Sequence, residues 1–93
     1  MSKWLGAGLG LLLLGVSGAA MADPQCTTEP KDKWMDQEAF KTQAMAEQGI
    51  TEIVRFEVTD TSCYEIYGKK GDKNVEIYFD PVTGKVIEAE EED

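Results

Sequence analysis

The 93-residue sequence contains no histidine. That absence removes the side chain most used as a general base near neutral pH, and the commonest transition-metal ligand. Arginine occurs once, at Arg55, and Lys+Arg total 9 against 18 Asp+Glu, giving a formal net charge of −9. A nucleic acid or an anionic membrane surface would need clustered Lys and Arg, so neither is expected as a partner. Beyond residue 22 the only serine is Ser62, in a turn-like stretch with no base beside it. Carboxylates are abundant, yet a chain with so thin a core is not expected to desolvate a pair of them for acid–base work. Together these absences point away from an enzyme, and no cofactor or metal is expected.

What is present begins with a leader. Lys3 supplies a positive start, Trp4 to Val16 form an apolar stretch centred on Leu11 to Leu14, and Ala20-Met21-Ala22 sets small residues before Asp23. This is the grammar of a secretory signal peptide over residues 1–22. An uncleaved anchor is the alternative, since the stretch approaches the roughly 20 residues a spanning helix needs. The glycines within it and the A-x-A ending favour cleavage, after which no membrane attachment is expected. A lipid-modified cysteine fits less well, because Asp23-Pro24-Gln25 precedes Cys26. The periplasm is the expected destination. Loss of Lys3 would leave the product one unit more negative and about 70 residues long, a size at which a covalent staple is often needed. Cys26 and Cys63 both survive, and an even count in an exported domain favours a disulfide. A reactive thiol pair is the rival, but no C-x-x-C motif accompanies it.

Residues 23–33 are polar, contain Pro24 and Pro30, and read as an extended lead-in. Asp36 is a good N-cap, Glu38 suits the first turn, and Gly49 is a C-terminal stop, so a helix is expected over 37–48. Phe40 and Ala44 give it one narrow apolar face, and Trp34 or Met35 could staple onto Phe40. From Ile50 the period becomes two. Val54, Phe56 and Val58 should share a face, with Arg55 and Glu57 opposite. Tyr64 and Ile66 oppose Cys63, Glu65 and Tyr67. Residues 69–74 read as a charged hairpin loop. Val75, Ile77 and Phe79 alternate with Glu76, Tyr78 and Asp80, and Asp80-Pro81-Val82-Thr83-Gly84 is a tight turn. Val86-Ile87 opens a short last strand that dissolves into an acidic tail over 90–93. The expected fold is α+β: one helix packed on an antiparallel β-meander of three to four strands.

The segment Cys63-Tyr64-Glu65-Ile66-Tyr67-Gly68, followed by residues 75–86, resembles the PepSY domain family. The carrying pattern is a strand ending in an aromatic and Asp, a turn ending in Gly, and a further short strand, here Tyr78, Phe79, Asp80 and Gly84. A preceding helix ending in Gly also matches, through Gln48-Gly49-Ile50. The resemblance spans residues 34–89. It implies a helix on an antiparallel sheet, and a regulator or inhibitor of peptidases outside the cytoplasm, as in the propeptides of thermolysin-type metalloproteases. No catalytic residue carries over. Since no protease domain follows, inhibition would act in trans.

Candidate binding residues follow from the alternation. Arg55, Glu65, Tyr67, Glu76 and Tyr78 should lie on the outward sheet face if Val54, Ile66 and Ile77 face the helix. Tyr and Arg are favoured in recognition, although such pairs also serve as ordinary sheet stabilisers. An open edge could accept a partner's extended peptide. The expected partner is therefore a protein or extended peptide in the cell envelope. The alternative is a small periplasmic ligand or cation carrier using the acidic surface. The tail from Glu88 to Asp93 lacks calcium-loop grammar and reads as a solvated end. Met35 and Met45 fit core filling better than a soft-metal site, and Asp80 reads as a turn residue.

Overall fold

The computed structural model describes residues 23–92. The leader read over residues 1–22, and Asp93, lie outside them. One helix, α1 (Gln37–Gln48), precedes four strands: β1 (Glu52–Val58), β2 (Tyr64–Lys70), β3 (Lys73–Phe79) and β4 (Val86–Glu92). The strands form one sheet in the order β1-β2-β3-β4, each neighbouring pair antiparallel. The fold is α+β. Among the described residues no helix is long and apolar enough to cross a membrane.

The helix begins and ends where its chemistry dictates. The Ala39 amide donates to Asp36 Oδ2 at 3.0 Å, satisfying one of the orphan donors of the first turn. Gly49 adopts φ 70°, the left-handed conformation that closes a helix most cheaply without a Cβ. Between these caps only Phe40 and Ala44 are buried. They share one cluster with Ile50, Tyr64, Ile66, Val75, Ile77 and Phe79, with Trp34, Met35, Met45, Ile53 and Phe56 at its margin. Phe40 is its centre: ring centroids lie 4.8 Å from Tyr64, 4.9 Å from Phe79 and 6.2 Å from Phe56. Such tilted and edge-on contacts add to area burial.

The lead-in is less extended than expected. Residues Lys31–Lys33 form a 3₁₀ turn. Two ties then fix the residues around it. Met35 donates its amide to Pro81 O at 2.8 Å, and Tyr64 Oη donates to Met35 O at 2.6 Å. At the other end Cys26 is bonded to Cys63 across 37 positions, and the Cys26 amide donates to Thr61 O. Cys63 is fully buried, immediately before β2.

Three expectations need correction. Val54 does not face the cluster with Phe56 and Val58. A bulge between Ile53 and Arg55 makes Val54 the extra residue, and it is 61% exposed. Opposite the bulge, Gly68 lies so close to the Glu52 carbonyl that any Cβ would collide with backbone, which explains the glycine. The β2–β3 connection is also tighter than a six-residue loop. Lys69, Lys70, Lys73 and Asn74 are paired strand residues, and only Gly71-Asp72 turns, with φ 63° at Gly71. Finally, the acidic end is not a frayed tail: Glu88, Glu90, Glu91 and Glu92 pair with β3 through to Asn74.

Replacing Phe40 by Ala is expected to cost about 3–5 kcal/mol, measured by urea unfolding, because its ring is fully enclosed. Phe56→Ala should cost less, since that ring is only partly buried and has Lys41 Nζ on its open side at 5.2 Å. Cys63→Ser should destabilise by about 2–5 kcal/mol, with a matching drop in denaturant midpoint when the wild-type chain is reduced.

Candidate functional site

Cross-strand register sorts the sheet into two sides. On the cluster side the rungs read Val58–Tyr64–Phe79–Val86, Phe56–Ile66–Ile77–Ala89 and Ile53–Gly68–Val75–Glu91. On the outer side they read Glu57–Glu65–Tyr78–Glu88, Arg55–Tyr67–Glu76–Glu90 and Glu52–Lys69–Asn74–Glu92. The register thus brings Arg55, Glu65, Tyr67, Glu76 and Tyr78 together on one side. Glu57, Glu88, Glu90 and Glu92 join them. The last three escaped sequence reading because a run of glutamates looks the same in a frayed end and in an edge strand.

The arrangement is dominated by like charge. Glu57 and Glu65 stand directly opposite each other on neighbouring strands, a destabilising placement for two carboxylates. Two devices relieve it. Arg55 Nε donates to Glu57 Oε2 at 2.7 Å, while its guanidinium lies 4.6 Å from the Tyr67 ring centroid. Glu65, only 7% exposed, has its carboxyl pushed up to about 7 from the ordinary 4.5, by burial first and then by a hydrogen bond to Glu76 and by the charges of Glu76, Glu57 and Asp23. Glu76 moves the other way, held below its usual range chiefly by that hydrogen bond from Glu65, with further donors in Tyr78 and Tyr67. The two shifts are linked, favouring the proton on Glu65 and the charge on Glu76. Only Glu65 of the two is buried; Glu76 is half-buried, so the carboxyls are not withdrawn from water as a pair. Glu65 lies on the outer side and outside the buried apolar cluster.

Tyr78 is the hinge of this network. Its Oη lies 3.0 Å from Asp23 Oδ1 and 3.1 Å from Glu76 Oε2. One phenolic hydrogen cannot serve both acceptors fully, so the two carboxylates share it. Burial and these acidic neighbours push the Tyr78 hydroxyl well above its usual range, and Glu76 does the same to Tyr67. Both phenols remain donors.

The remaining sequence candidates resolve into structural roles. Asp80 Oδ1 accepts from the Val82 and Thr83 amides at 2.8 and 3.3 Å, as a turn residue should. Met35 and Met45 border the cluster. Ser62 has φ 65°, the only non-glycine residue with positive φ among the described residues. Among those residues no trio of Cys, Asp or Glu side chains converges closely enough to hold a metal ion.

A helix followed by a four-stranded antiparallel sheet, with a turn-forming Asp–Gly segment between its last two strands, is the expected outline of a PepSY domain. The family model for the peptidase propeptide and YPEB domain matches residues 7–90. The chain belongs to that family. Curated proteins and solved structures yield no match.

The linked shifts make stability depend on pH with a definite sign. Glu65 binds its proton more tightly folded than unfolded, so its contribution is complete below about 4.5 and is lost as pH rises through about 7. Glu76 has the opposite sign, losing its contribution as pH falls through its lowered value. The urea midpoint should therefore fall between pH 5 and pH 8. Glu65→Gln, which keeps a permanent donor for Glu76, should flatten that fall, and an equally steep fall in the variant would refute the proton on Glu65.

Proposed function

We propose that the chain is an exported, non-catalytic binding domain: a helix laid on an antiparallel meander that regulates a peptidase or another envelope protein in trans. Residues 1–22 act as the signal peptide, the periplasm is the destination, and the acting surface is the outer side of the sheet with its open edge. Family membership supports a peptidase-propeptide-like role. The observation that carries the reading is the one-sidedness of the sheet. The buried apolar residues of the strands all lie on the cluster side, while the outer side concentrates Tyr67, Tyr78, Arg55 and glutamates that the core does not need. Tyrosine and arginine in such a setting suit recognition. A cation-carrier role has less behind it, because the carboxylates stand in rungs spread along the sheet and do not close around a point.

Adding the purified chain from Asp23 onward to a thermolysin-type metallopeptidase or an envelope peptidase of the host should slow peptide cleavage in proportion to dose. Tyr67→Ala should weaken that effect while leaving the unfolding midpoint near wild type. Undiminished cleavage by every peptidase tried would sink the inhibitory reading.

A further inference from the structure

Strand β4 lies at one end of the strand order, so among the described residues one of its sides carries no sheet neighbour. Its side chains are exposed along its whole length, and Glu88, Glu90 and Glu92 all fall on the outer side. The pairing with β3 shifts register at Ile87 and is regular from there on, which leaves an uninterrupted edge from Glu88 to Glu92. The opposite edge, β1, is broken by the bulge at Val54. Next to β4 a small groove of about 50 Å³ runs over the outer rungs, lined by Tyr67, Asn74, Val75, Glu76, Glu90 and Glu92. That volume admits the end of one side chain. No lysine or arginine lines it. Tyr67, 37% exposed, supplies an aromatic wall.

The same face already shows how it holds a cation. Arg55 lies over the Tyr67 ring at 4.6 Å and reaches Glu57 at 2.7 Å. The groove offers the same ring with Glu76, Glu90 and Glu92 in place of Glu57.

We propose that the β4 edge and the groove beside it bind an extended, basic segment of a partner protein, which adds as a fifth strand and places a Lys or Arg side chain among Tyr67, Glu76, Glu90 and Glu92. This deepens the binding reading above by naming the partner's chemistry, and it rests on that reading. Charge selects the occupant. A second copy adding β4 to β4 would set two rows of glutamates side by side, and an acidic segment would meet the same repulsion. A segment alternating basic and apolar residues meets neither obstacle, since period two places every basic side chain on the glutamate side. A long basic chain also fits carboxylates spread along rungs better than a small ion does.

The test uses a nine-residue peptide alternating Lys and Val, its Glu-for-Lys counterpart, and a Lys–Val peptide N-methylated at alternate residues. Calorimetry with the disulfide-bonded chain from Asp23 onward should show binding of the first peptide alone, weakening as salt rises. Glu90→Gln with Glu92→Gln, or Tyr67→Ala, should weaken it about tenfold or more, as expected for a lost charge or cation–π partner in a partly desolvated site. Asp32→Asn with Glu47→Gln, the same loss of charge elsewhere, should change it little. Equal binding of the acidic peptide, equal binding of the N-methylated peptide, or equal weakening by both double variants would each overturn the proposal. Peptidase inhibition that persists in Glu90→Gln/Glu92→Gln would leave the broader reading standing while removing this one.

Discussion

The contact of the Phe40 ring with Tyr64 and Phe79 commits the sheet to having two unequal sides. A twelve-residue helix with a single aromatic can close only one of them. Every rung residue that enters the buried cluster from β2 and β3 therefore comes from the same alternate set, Tyr64, Ile66, Val75, Ile77 and Phe79. The other set is released from the demands of packing. Among the described residues no second layer of helix or strand covers it, so its composition answers to water, to neighbouring charges and to whatever it meets.

That outer set is electrostatically costly. Glutamates stand opposite glutamate or tyrosine on successive rungs, and among the described residues Arg55 and Lys69 are the basic side chains that the register places there. A surface needed only for solubility would intersperse the two signs. Here the strain is managed locally, by Arg55 on Glu57 and by the raised carboxyl of Glu65 beside Glu76, and it is not removed. Concentrated charge of one sign steers oppositely charged partners at a distance, so the arrangement favours fast encounter with a basic surface and discourages self-association through the edge.

Much of this was legible in the sequence. The Asp36 cap, the Gly49 stop, the Asp80–Gly84 turn and the alternation from Tyr64 to Phe79 are local signals, and local chemistry decides them. Apart from the 3₁₀ turn at Lys31–Lys33 and the tight turn at Gly71, the failures are matters of long-range pairing. Val54 reads as a core residue by strict alternation, and the pairing with β2, where Glu52 approaches Gly68 closely, leaves it as the extra residue of β1. Glu88 to Glu92 have poor strand propensity, yet β3 offers them a full ladder of partners, and tertiary pairing overrides propensity. Glu65 could be assigned to the outer side by period two, but its burial could not. That depends on Asp23, forty-two positions earlier by register number, arriving beside Tyr78.

The arrival of Asp23 ties the covalent staple to the outer face. Cys26 fixes the lead-in at Cys63, and Gln25 Nε2 donates to Thr61 O at 3.0 Å, so the residues just before the bridge have little choice but to run over the first outer rung. Two residues after Cys63 on β2 comes Glu65, the carboxyl most in need of cover. A disulfide acts largely on the unfolded chain, by limiting what it can explore. It can therefore stabilise the fold without asking the outer face to be favourable in itself. A sheet held shut by a covalent bond and a one-sided core can carry a row of mutually repelling carboxylates that a chain relying on surface contacts could not.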